Sequence, residues 1–184
     1  MGADKYKWHL NILPEDDATR QLANGWCQVD CLSQPSPLSR QFFTEIGGHG
    51  WSKTIASIAD QNLDRFANRH VLSFIDSDGD PDRVQKIQKD IRQTYSSYID
   101  RIFIIAVYPL VNNGSIQKME VEDLKKAFRQ SSLETIGKSL ANEFIANDYT
   151  DNGWGHPLLR NNQSELARLR RVVPCRSVNS NYHT

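Results

Sequence analysis

One apolar run that ends in three alternating carboxylates constrains the fold of this chain more than any other segment. Residues 71–75 (VLSFI) are apolar or small, and Asp76, Asp78 and Asp80 follow them around Gly79. The β-branched and aromatic residues predict a buried strand, and the glycine marks the turn at its end. In an open parallel sheet, ligands bind outside the carboxyl ends of the strands. The segment therefore predicts a polar site at the edge of an α/β sheet.

Acidic side chains also follow the first predicted strand. Glu15, Asp16 and Asp17 come directly after the predicted strand of residues 8–13 and Pro14. Carboxylates packed at strand ends repel one another unless a cation lies between them, and oxygen ligands suit Mg²⁺, Mn²⁺ or Ca²⁺. Two acidic strand ends therefore predict a metal site. The simpler interpretation is that Asp16 or Asp17 caps a helix and that residues 76–82 form an acidic surface turn.

Strand and helix patterns alternate along the chain. Predicted strands span residues 8–13, 41–46, 70–75 and 101–107. Predicted helices run from a cap at Asp16 or Asp17 to the Asn24-Gly25 pair, over 51–67, onward from a cap at Asp82, and over 121–128, 133–145 and 164–172. This alternation predicts one compact α/β domain with a largely parallel, about four-stranded sheet flanked by helices. Within it we expect a core of residues 1–117 and a helical C-terminal extension of residues 118–184.

Composition narrows the classes of function. The chain has 22 basic and 22 acidic residues and a formal net charge of +0, which argues against coating nucleic acid by charge alone. Arginines near the C-terminus, among them Arg168 and Arg170, predict either a local basic face or a solvated helix face. Three cysteines cannot all pair, which favours a reduced, cytoplasmic setting, and Cys27 and Cys31 lack a second pair to complete a zinc site. No apolar stretch is long enough to span a bilayer.

Other acidic motifs fit this spacing less well. An EF-hand loop that starts at Asp76 would need glycine and glutamate where Pro81 and Ile87 stand. A response-regulator receiver would need a hydroxyl residue after the fourth strand, and residues 106–109 (AVYP) have none. A haloacid-dehalogenase-type phosphatase matches Asp76 and Asp78, but its usual threonine is replaced by Asp80. The phosphatase stays as an alternative.

Residues 8–107 resemble a Toprim domain. The match consists of a glutamate after the first strand, a glycine turn after the second and an Asp-x-Asp-x-Asp motif after the third: Glu15, Gly47, Gly48, Asp76, Asp78 and Asp80. The small size is similar to the nuclease branch related to OLD-type and ribonuclease M5-type enzymes. Where family members commonly carry a glycine after the first glutamate, this chain has Asp16. The expected fold is a Toprim-like Rossmannoid.

The resemblance implies a Mg²⁺- or Mn²⁺-dependent nuclease that hydrolyses phosphodiester bonds in DNA or RNA. It implies Glu15, Asp76 and Asp78 as catalytic residues, the same three with Asp80 as metal ligands, and Glu120 or Glu122 as a further acid. It also implies a defence or toxin role beside a separate partner ATPase, because this chain has no phosphate-binding loop of the GxxxxGK[ST] type. Assembly as a homo-oligomer is compatible with it. A degenerate Toprim module that binds a protein partner is the main alternative.

Several residues are candidates for holding phosphate or nucleic acid. Gly48 and His49 precede a predicted helix start, where backbone amides cradle anions, although the glycines also suit a plain tight turn. Arg83 follows the acidic loop and is either a phosphate contact or a solvated side chain. His156 lies in a Gly-Trp-Gly-His-Pro segment near Arg160, where the aromatic residue either stacks on a base or anchors the segment to the core.

Overall fold

The protein is an α/β domain, as the alternating pattern predicts. A computed structural model describes residues 6, 8–28, 42–44, 50–78, 80–107, 111–112, 115–116, 124–127, 129–130, 132–146 and 157–173. The strands are β1 His9–Pro14, β2 Phe42–Thr44, β3 Arg69–Asp76, β4 Ile102–Val107, β5 Val111–Asn112 and β6 Ser115–Ile116. The helices are α1 Asp17–Cys27, α2 Trp51–Ala56, α3 Pro81–Thr94, α4 Leu124–Ala127, α5 Leu133–Ala146, α6 Pro157–Asn161 and α7 Gln163–Val172. Short 3-10 helices cover Ala59–Gln61 and Ser96–Arg101.

The main sheet is parallel, with the strand order β2-β1-β3-β4. Three strands, β1, β3 and β4, form its body. The predicted count of about four is reached only through β2, whose three residues pair with Leu10, Asn11 and Ile12. The strands β5 and β6 form a separate antiparallel pair.

Both faces of the sheet are covered by helices, so β3 and β4 are buried on both sides. On one face, Leu72 and Phe74 pack with residues of α1, α5, α6 and α7. On the other face, Val71 and Ile75 pack with Ile87 of α3 and with neighbouring apolar residues. Burial on both faces accounts for the continuous apolar runs in these strands.

Helix α1 continues past the point where the sequence predicts its end. Asn24-Gly25 predicts a C-terminal cap, yet the helix runs to Cys27. A Cβ atom on Gly25 would lie 1.9 Å from the backbone oxygen of Glu134, and one on Gly137 would lie 1.9 Å from the oxygen of Leu22. The two glycines therefore serve the close approach of α1 and α5, and the prediction of a helix end at Gly25 is wrong.

The helix predicted over 51–67 is also shorter than expected. Helix α2 ends at Ala56, a 3-10 turn follows, and Asn62 adopts a left-handed backbone with φ 50°. Asparagine tolerates this conformation better than most residues. The break lets Ile58 and Leu63 both enter the core.

Helix α7 lies along β4, the last strand of the described sheet. The Asn162 side chain accepts from the Ala106 amide at 2.8 Å and donates to the Ala106 carbonyl at 2.7 Å. Glu165 accepts from the Ile104 amide at 3.4 Å and pairs with Arg168 at 2.9 Å. Side chains thus take the place of a neighbouring strand on this edge.

Candidate active site

The two acidic strand ends predicted from the sequence are neighbours in the structure. β1 and β3 pair in parallel register up to Pro14 and Phe74, and Glu15 and Asp76 lie at their carboxyl ends. The chain leaves β1 through α1 toward β2, whereas β3 lies on the other side of β1. The strand order therefore reverses between β1 and β3, which is where α/β sheets open a crevice for ligands.

Glu15 is a buried carboxylate at this reversal point. Its side chain accepts the backbone amide of Asp76 at 2.8 Å and a guanidinium nitrogen of Arg83 at 2.7 Å, and the backbone amide of Trp51 also donates to it. Burial raises the pKa of Glu15 above its ordinary value, and these hydrogen bonds and the Arg83 charge act against that rise. The carboxylate thus joins β1, β3, α2 and α3 at one point.

The acidic loop after β3 is held by its own backbone. Asp76 is 7% exposed, and its carboxylate accepts the amide of Asp78 at 3.0 Å. Asp78 is exposed and adopts a left-handed backbone with φ 50°. Asp80 caps α3, because its carboxylate accepts the amide of Asp82 at 2.9 Å. The structure therefore gives Asp80 a helix-capping role, and Asp76 is the buried acid of the motif.

Arg83 bridges the two acidic segments. Its guanidinium donates to Glu15 at 2.7 Å and forms a short ion pair with Asp78. The arginine side chain is 17% exposed, and its buried Nε has no hydrogen-bond partner among the described residues. The cation that the packed carboxylates require is therefore supplied, in this structure, by an arginine of the same chain.

The donor chemistry suits a hard divalent cation, but the carboxylates are not gathered around one point. Among the described residues, no group of three or more His, Cys, Asp or Glu side chains is placed to hold a metal ion. Asp78 is drawn to Arg83, and Asp80 faces the start of α3. Glu15 and Asp76 remain side by side and buried. Their oxygen atoms are the ligands that Mg²⁺ and Mn²⁺ prefer.

Helix capping beside the site follows the simpler interpretation of the sequence. Asp16 is the N-cap of α1, and its carboxylate accepts the Thr19 amide at 2.8 Å. The Thr19 hydroxyl in turn accepts the Asp16 amide at 2.9 Å, which completes a capping box. Asp17 is exposed and pairs with Arg20, and this side-chain hydrogen bond lowers the pKa of Asp17. Neither aspartate joins Glu15 as a second acid.

Other predicted site residues lie outside the part of the chain that the structure describes. These are Gly48, His49, Glu120, Glu122 and His156, together with the side chain of Arg160. Two arginines of the predicted C-terminal basic face are engaged in contacts within the protein. Arg168 pairs with the buried Glu165, and Arg170 donates to the Ile145 carbonyl at 3.2 Å.

Two features of the site were not predicted from the sequence. The first is the double ion pair of Arg83, whose only signal is a basic residue one turn into the helix after an acidic loop. The second is the Trp51 amide on the Glu15 carboxylate, which no residue type reveals. Nearby, Gly50 donates its amide to the Glu15 carbonyl at 3.2 Å with φ 108°, a conformation that favours glycine.

No family model, no curated protein and no solved structure matches this chain. The class of the protein is therefore defined by its own structure. This is a parallel α/β sheet with two buried carboxylates, Glu15 and Asp76, where the strand order reverses. Among the described helices, none is long and apolar enough to cross a membrane.

Proposed function

We propose that this chain is a metal-dependent phosphodiesterase of the Toprim nuclease type, which cuts DNA or RNA. One observation carries the proposal: Glu15 and Asp76, buried at adjacent strand ends, share a hydrogen bond of 2.8 Å at the reversal point of the sheet. Buried acids at this position of an α/β sheet are expensive to maintain unless they bind a ligand or a cation.

The side chains support distinct roles in such a reaction. Glu15 and Asp76, with Asp78 and Asp80 at the rim, would hold Mg²⁺ or Mn²⁺. The bound ion would supply Lewis-acid stabilisation of a phosphodiester and a more acidic water. Where Glu15 does not bind the ion, burial raises the pKa of its carboxylate, which makes it a stronger proton acceptor than an exposed glutamate. The guanidinium of Arg83 lies beside both acids and suits a phosphate oxygen.

A cleavage assay tests this function. Purified protein is incubated with plasmid, single-stranded DNA, tRNA and a nucleoside monophosphate, in Mg²⁺, Mn²⁺ or EDTA. We expect metal-dependent cleavage of a nucleic acid that falls at least about 100-fold in Asp76→Asn, since removing a catalytic acid typically costs 10²–10⁴-fold. Asparagine keeps the oxygen that accepts the Asp78 amide, so the loop should stay folded.

Asp64→Asn is the matched control. Asp64 is exposed and precedes the amino end of β3, at the opposite end of the sheet from the site. The Asp64→Asn variant should cleave nucleic acid as the wild type does. Equal cleavage by Asp76→Asn and the wild type would contradict the assignment of the site. Release of phosphate from the monophosphate alone would favour the haloacid-dehalogenase-like phosphatase.

A second function, a degenerate Toprim module that binds a protein partner, is favoured by the Arg83 ion pairs. A guanidinium that already pairs with Glu15 and Asp78 stabilises these acids without any metal. This function predicts no cleavage of any substrate and no rise in melting temperature with Mg²⁺ or Mn²⁺. The nuclease function predicts cleavage and a rise in melting temperature, because an ion that binds only the folded state raises its stability.

The cytoplasmic location that we propose comes from the three cysteines, which cannot all pair. The rest of the biological setting comes from the resemblance alone: a nucleic-acid substrate, a partner ATPase, a role in antiviral defence and assembly as a homo-oligomer. Adding a candidate ATPase to the cleavage assay would show whether a partner stimulates the reaction.

A further inference from the structure

The Arg83 side chain forms ion pairs with both Glu15 and Asp78. It lies in the first turn of α3, directly after the Asp80 cap, and its two terminal nitrogens reach one carboxylate each. Such a planar fork across two carboxylates is a geometry that arginine forms and lysine does not.

We propose that Arg83 is the resting counter-cation of the acidic site and that a divalent cation must displace it in order to bind. This inference rests on the proposed function, because the competing ion is the one that function requires. The atoms that Arg83 uses are Glu15 Oε1 and Asp78 Oδ2, which belong to the expected metal ligands. A carboxylate oxygen shared by a guanidinium and a dication would bring two positive charges into contact, so the two compete.

The structure also makes release of the arginine feasible. The Asp78 carboxylate is 65% exposed, so water can replace the guanidinium there. Within the described part of the chain, no group accepts a hydrogen bond from the buried Nε of Arg83, so the bridge leaves this donor unpaired there. The bridge therefore offsets one negative charge of the site without being held irreversibly. Arg83 lowers the affinity for metal and sets the metal concentration at which the site fills.

Metal binding measured directly on the full chain tests this competition. Binding of Mn²⁺ is followed by the loss of its free-ion electron paramagnetic resonance signal, for the wild type, Arg83→Gln, Arg83→Lys and Arg92→Gln. Arg92 is an exposed arginine in the last turn of the same helix and is the matched control. We expect Arg83→Gln to bind Mn²⁺ about tenfold more tightly than the wild type. Arg83→Lys should lie between them, and Arg92→Gln should equal the wild type.

The outcomes separate the two proposals. Equal or weaker Mn²⁺ binding by Arg83→Gln overturns the competition even if the wild type cleaves nucleic acid. Tighter binding without any cleavage supports the competition and contradicts the nuclease. Absence of Mn²⁺ binding in every variant overturns the competition. If Arg83→Gln fails to fold, because Glu15 is left buried and unpaired, Arg83→Lys decides the matter through the same measurement.

Discussion

His70 should make the stability of this protein depend on pH. Its ring lies 5.5 Å from that of Trp8 and 6.3 Å from that of Phe103, and the residue is 8% exposed. Burial, with a smaller contribution from the charge of Arg101, lowers the pKa of His70 from 6.5 to about 4. The Asn68 carbonyl, 3.2 Å from Nδ1, only partly offsets this.

The direction and the size of this pH dependence follow from the linkage between proton binding and folding. The unfolded chain takes up a proton on this histidine near pH 6.5, and the folded chain does so only near pH 4. Stability is therefore complete above pH 6.5 and falls as the pH drops toward 4. At about 1.4 kcal/mol for each whole step in pKa, the loss is about 3 kcal/mol.

Urea unfolding at intervals between pH 7 and pH 4 measures this loss. His70→Phe keeps an aromatic ring in the stack and cannot be protonated. Relative to His70→Phe, the wild type should lose about 3 kcal/mol of its unfolding free energy over that range. Taking the difference cancels the titration of the carboxylates that both proteins share.

His70→Gln is the control, because it removes the same proton site with different packing. The two variants should differ in stability by a constant offset and share one pH profile. A wild type that runs parallel to both variants from pH 7 to pH 4 would refute the claim that burial keeps His70 neutral.

Two packing predictions concern the elements outside the site. Helix propensity alone would make Gly137→Ala stabilising by about 1 kcal/mol, but the new Cβ would meet the Leu22 oxygen, so we expect a loss of about 2 kcal/mol in thermal or urea unfolding. The exposed Ser139→Ala is its control, and a stabilised Gly137→Ala would show that α1 and α5 can move apart. Asn162→Ala should cost about 3 kcal/mol, because it leaves the buried amide and carbonyl of Ala106 without partners. Its exposed neighbour Ser164→Ala should change the unfolding free energy little, and an equally small change in Asn162→Ala would mean that water replaces the side chain.

Most of the fold could be predicted because its strands are buried on both faces. Burial forces the apolar runs at β3 and β4, and their bounds agree with the prediction within one residue. The Asn24-Gly25 pair misled the prediction at α1, and at α2 the predicted helix ran through Asn62, where the backbone is left-handed. Gly25 signals a helix end in isolation, whereas its role here is set by Glu134, a residue far away in the sequence. Local pattern carries no information about such an approach.

The candidate site could likewise be predicted only in part. The placement of Glu15 beside Asp76 follows from the rule that parallel strands end at one edge, and the structure brings the two together. The roles of Asp78 and Asp80 depend on the loop conformation, which turns one toward Arg83 and the other toward the Asp82 amide. The alternating motif predicts acids in the same place without revealing which of them face one another.

The way α7 covers β4 has a consequence for synthesis of the chain. β4 ends at Val107, whereas Asn162 and Glu165, which bond to its outer edge, follow more than fifty residues later. A ribosome adds about 5–20 residues each second, so for several seconds the growing chain carries a finished strand with an open edge. Open edges recruit strands from other molecules. We therefore expect the outer edge of β4 to lack these two partners until Asn162 and α7 emerge.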